Sequence, residues 1–145
     1  MENILNNFFS ESDIQAESDY SPVKYDEKMR EQLIKNLNTS IIEGDNEGYR
    51  KAVLLLVIDQ CKKLEYNSYQ YDEAVKKLNT HLNTDNNQEL TGNLKVIDEI
   101  YDLNVTLIRL SHMQRKIESL LIEHHNAKTI AEELEILSKI AEILV

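Results

Sequence analysis

Four histidines, one cysteine and one acid-rich turn are the residues of this chain that could carry chemistry. Helical metal sites use His-x-x-x-His or Glu-x-x-His, because those offsets set both ligands on one face. His81, His112, His124 and His125 have no second histidine four residues away and no acid three residues before them. They read as surface or seam histidines, and no metal is expected. Cys61 stands in the run Asp59-Gln60-Cys61-Lys62-Lys63. Neighbouring lysines can lower a thiol pKa. Yet the apolar run just before it places Cys61 as a small hydrophobe, and no histidine can be assigned to orient it as a nucleophile.

Glu43-x-Asp45-x-Glu47-Gly48 opens like a calcium-binding loop. Calcium needs a bidentate acid at loop position twelve. That position is Leu54, and position nine is Lys51, so the segment reads as a solvated acidic turn. Glycines at 44, 48 and 92 make neither a Walker nor a Rossmann phosphate loop. Acid pairs such as Asp98/Asp102 and Glu132/Glu133 read as solvated helix faces. No catalytic residue and no cofactor is expected, and the chain does not read as an enzyme.

The elements that would position such residues are helices. Three glycines and one proline in 145 residues are too few for a sandwich or barrel, which turns every ten or so residues. The expected fold is all-α: a bundle of about five helices with a long C-terminal coiled-coil-like hairpin. Residues 1–24 read as a flexible acidic arm, with five acids and one base. Ile4, Leu5, Phe8 and Phe9 within it fall on one face of two helical turns. Residues 25–145 read as one domain, with three shorter helices over 25–84 and a long helix plus a C-terminal helix over 88–145.

The first helix is expected from Ser21-Pro22 to about Glu43, since proline suits the first helical position. The second, about 47–65, is apolar all round at Ala52–Ile58 and belongs at the centre. Asn67-Ser68 is expected to break it before a third helix over 69–83, with Tyr66, Tyr69 and Tyr71 at the break. Asp85 with Gln88, and Thr129 with Glu132, have the spacing of capping boxes.

From Gln88 to His125 a heptad seam runs through Val96, Ile100, Leu103, Leu107, Leu110, Gln114, Ile117, Leu121 and His124. A helix of that length spans about 55 Å, beyond the ~30 Å of a small domain. Part of it should project, or pack along another long helix. Gln114 is a polar residue that would fix register. The last helix, about 129–144, carries a second stripe of Ile136, Ile140 and Ile143.

The net charge of −10 excludes a general nucleic-acid surface, which needs clustered Lys and Arg. No apolar run approaches the ~20 residues of a membrane span. The N-terminus lacks a basic region and a long apolar stretch, so no secretory signal is expected. One cysteine cannot form an intramolecular disulfide, which fits an intracellular, reducing setting.

The expected function is that of a non-enzymatic assembly subunit or adaptor. Its C-terminal helices would pair with a protein partner or a second copy. Leu103, Leu107, Leu110, Gln114, Ile117 and Leu121 would form the seam, and Ile136, Ile140 and Ile143 the second contact face. Bundle helices share the same pattern, so the seam could equally close within one chain. The alternative is a small acidic inhibitor, immunity or antitoxin-like protein that masks a basic surface on its target.

Overall fold

The computed structural model describes residues 22–83 and 90–145. Most of the expected arm, with its Ile4–Phe9 cluster, and the Asp85–Gln88 capping box lie outside the described residues. Four α-helices and no strand are found among the described residues. They are α1 (Glu27–Glu43), α2 (Asn46–Leu82), α3 (Leu90–His125) and α4 (Ile130–Leu144).

The count is four where about five were expected, because α2 runs without a break through Asn67-Ser68. Neither residue is glycine or proline, so each costs a helix only a fraction of a kcal/mol, below about 0.7. The Asn67 amide also finds a partner inside the helix, donating to the Lys63 carbonyl at 2.9 Å. Tyr66 and Tyr69 therefore do not flank a turn. They lie on one continuous helix with their rings stacked, centroids 6.4 Å apart.

The helix ends follow local chemistry. α1 begins not at Pro22 but after Asp26, whose carboxylate accepts from the Lys28 N–H at 2.9 Å. Gly44 closes it in the left-handed region, φ 67°, and the Asp45 N–H donates to the Ser40 carbonyl at 2.9 Å. Asp45 then caps α2, accepting from the Gly48 N–H at 3.0 Å. A side chain at 48 would meet that capping carboxylate and Ser40 Oγ, so anything larger than glycine there must push the cap aside. Thr129 Oγ1 accepts from the Glu132 N–H at 3.1 Å, and Glu132 reaches back to the Lys128 N–H at 3.1 Å. The expected capping box is present, moved back by one residue on its return arm.

α2 touches α1, α3 and α4, as its apolar middle implies. α3 pairs chiefly with α2 rather than only with α4. Cys61 on α2 meets Gln114 on α3 across the buried seam. The two lie at matching distances from the connection between the helices, so the pair is antiparallel. The C-terminal hairpin expected of α3 and α4 alone is thus part of a larger arrangement, since α4 also packs on α2.

The core sits at one end. It joins Leu33 and Leu37 of α1, Ala52, Val53, Leu56 and Val57 of α2, Ile117 and Leu121 of α3, and Leu137, Ile140, Ala141 and Leu144 of α4. The C-terminal half of α2 and the N-terminal half of α3 continue beyond that core as a two-helix hairpin. There, among the described residues, the buried apolar side chains of the pair thin out to Ala74 and Val96. Among the described residues, no helix is long and apolar enough to cross a membrane.

Candidate interaction surface

The seam anticipated on α3 is closed within the chain. Leu110, Gln114, Ile117 and Leu121 are all buried, and Leu103 and Leu107 are half-buried. On α4, Ile140 is fully buried, and Ile136 and Ile143 are half-buried against the same core. The structure therefore brings Ile117, Leu121 and the α4 isoleucines together in one core. Leu103 and Leu107 stand apart from it, along the projecting hairpin.

Gln114 is an awkward member of that seam. Its Oε1 is buried without a hydrogen-bond partner, and its amide makes only a long 4.0 Å contact to Cys61 Sγ. Cys61 is buried, and its thiol is pushed up to about 12, by burial first and then by the charge of Glu118. A thiol so protonated is a poor nucleophile at neutral pH.

A second polar group ties α1 and the C-terminus to α2. Asp59 accepts from the Tyr25 hydroxyl at 2.6 Å and lies 3.5 Å from the Arg30 guanidinium. Arg30 also donates to Gln60 Oε1 at 3.0 Å and to the Leu144 carbonyl. Lys63 lies 5.5 Å from the centroid of the Tyr25 ring and forms an ion pair with Glu27 at 3.2 Å. Burial, and then the hydrogen bond to Asp59, push the Tyr25 phenol well above its usual range. Every polar atom of Asp59 and Arg30 used here faces another part of the chain. The cluster is a clasp holding α1 on the bundle, its Arg30 and Asp59 side chains only 12% and 5% exposed. Among the described residues, no three His, Cys, Asp or Glu side chains are placed to hold a metal.

The surface that stands out is the outward face of α3 on the projecting hairpin. Leu94, Ile97, Tyr101, Val105 and Ile108 are 53%, 46%, 67%, 49% and 62% exposed. Their spacings are three, four, four and three residues, so they form one stripe along the helix. At 1.5 Å per residue the stripe is about 21 Å long.

The neighbouring helix adds to it. Val75 follows the buried Ala74 by one residue, and Ile97 follows the buried Val96 by one. Each is therefore turned by the same ~100° from the seam. In an antiparallel pair, equal turns away from a shared seam open on the same side. Val75, and Leu82 seven residues on, thus open on the same side of the pair as Ile97, the flank of the stripe nearest α2; they are 40% and 65% exposed. Sequence reading took in only the seam of α3 and passed over this second stripe. Its spacing was visible, but only the burial of the first stripe shows that the second is left outside.

The chain matches no family model, no curated protein and no solved structure.

Proposed function

We propose that this protein is a non-enzymatic assembly subunit that pairs helices with a protein partner through the outward face of α3. One observation carries the reading: five large apolar side chains left exposed in helical register on a projecting hairpin. Scattered exposed hydrophobes are ordinary, whereas a contiguous apolar stripe marks an interaction site. A partner helix laid along such a stripe is a common recognition mode, read as anchors at i, i+3, i+4 and i+7. Fully burying one such side chain contributes about 1.5–3 kcal/mol. These are already about half covered, so each offers roughly 1 kcal/mol, and the stripe roughly 5 kcal/mol.

The helix pairing is coiled-coil-like, but it uses the face opposite the internal seam. The acidic-inhibitor reading has only the net charge of −10 behind it.

The test places a photo-crosslinking residue at Tyr101, and a control at the exposed Lys139 of α4, in the cells that make the protein. A discrete adduct from position 101, absent at 139 and lost when Ile97→Asp and Ile108→Asp are added, is expected. Equal labelling at both positions, or none, would overturn the reading.

A further inference from the structure

We infer that the α3 stripe is covered by a second copy of this chain, laid antiparallel about a two-fold axis near residue 103. The inference rests on the reading of the stripe as a helix-pairing surface and supplies its partner.

Charge on the edge of the stripe carries it. Asp98 and Arg109 are both exposed and stand seven residues before and four after Val105, on the same edge. Eleven residues separate them, three turns of helix, so they lie on one line. An antiparallel copy centred near 103 sets Asp98 of one chain opposite Arg109 of the other, twice per dimer, against one approach of Asp102 to its own copy at the axis. The same register lays Ile97 against the partner's Ile108 and Tyr101 against the partner's Val105. The spacing of four, four and three across these positions is therefore filled by the stripe itself. In a parallel two-fold pair this edge would lie against the opposite edge of the partner, so Asp98 and Arg109 would not meet; only the antiparallel arrangement pairs them.

Other occupants fit less well. Residues 1–24 are long enough to reach the stripe, and Ile4, Leu5, Phe8 and Phe9 are apolar. Yet that segment carries five acids and a single base, so it offers little to set against Asp98 and Asp102, whereas a second copy brings its own Arg109. A dimer also needs more than one helix face, since stable interfaces bury about 800 Å² per partner. The flank of the stripe at Ile97 is turned toward the side on which Val75 and Leu82 are exposed, so apolar area continues there toward the neighbouring helix. The hairpin gains as well, because its own buried apolar contacts are sparse and a second hairpin would cover it.

The experiment is the mass of the full chain by light scattering, from dilute to concentrated, for the wild type and four variants. Tyr101→Glu is expected to give a monomer with an unchanged helical spectrum. Asp98→Arg alone and Arg109→Asp alone should each weaken the dimer about tenfold, since each turns two attractive pairs into two repulsive ones. The double reversal should restore the affinity to within about twofold. A dimer indifferent to either single reversal overturns the inference, and so does a monomer at every concentration. The crosslink from position 101 then separates the two readings. An adduct of other than twice the chain mass leaves the assembly role standing without self-pairing. An internal link to residues 1–21 assigns the stripe to the arm, and no adduct removes both readings.

Discussion

Aspartate at Ile117 should unfold this protein, whereas aspartate at Ile108 should leave it folded. The two residues lie on the same helix, nine residues apart, and both belong to regular apolar stripes. Ile117 is 0% exposed and belongs to the core shared by all four helices. Truncating such a residue to alanine costs about 2–5 kcal/mol. Aspartate adds an ionisable group without a partner, at several kcal/mol more. The sum of about 5–10 kcal/mol is comparable with the whole stability of a domain, about 5–15 kcal/mol. Ile108 is 62% exposed, and its replacement should change the stability of the isolated chain by about 0.5 kcal/mol or less. Urea denaturation followed by helical circular dichroism reads both. A folded Ile117→Asp protein of reduced mass would refute the reasoning, because the seam would then join chains rather than helices of one chain.

Further predictions follow from the same contacts. Gln114→Leu should raise stability by about 1–3 kcal/mol, because it removes a buried carbonyl without a partner from an apolar seam; a lower melting temperature would contradict this. Gly48→Ala and Asp45→Ala should each cost about 1 kcal/mol through loss of the same cap, and the double variant should cost little more than either alone. Arg30→Met should cost about 3–5 kcal/mol by leaving Asp59 buried without its cation. Stability should also fall at alkaline pH. Folding raises the Cys61 thiol from 9.0 to about 12, so its contribution is whole below pH 9 and is lost as the pH climbs toward 12. Tyr25 is shifted in the same direction and adds to the loss above pH 10. Denaturation at pH 8, 9, 10 and 11, repeated with Cys61→Ala, measures the slope and the share owed to the thiol.

Much of the fold was legible because it is written in local chemistry. Gly44 and Asp45 end one helix and start the next, and Thr129 with Glu132 starts the last. The Ala52–Ile58 run could be placed at the centre because an all-round apolar helix needs neighbours on several sides. Asn67-Ser68 misled because a polar pair resembles a turn, while the Asn67 amide is satisfied within the helix by Lys63. Pro22 misled because a proline tolerated at a helix start does not create one, and Asp26 supplies the cap instead.

The candidate surface was less legible. A 3–4 spacing states that a face is apolar but not which chain covers it. The seam through Leu110, Ile117 and Leu121 needed three-dimensional contacts to show that α2 and α4 are its mates. Only once that seam was filled did Leu94, Ile97, Tyr101, Val105 and Ile108 become the face without a mate among the described residues. The Arg30–Asp59 clasp gave no signal at all, since it joins residues 29 positions apart on different helices.

The central claim is that the outward face of α3 holds two chains together. The mass of the wild-type chain in solution, set against that of Tyr101→Glu under the same conditions, tests it most directly. A wild-type mass twice that of the chain, falling to the single-chain value in the variant with the helical spectrum intact, is the predicted result. Equal masses for the two proteins at every concentration would contradict it.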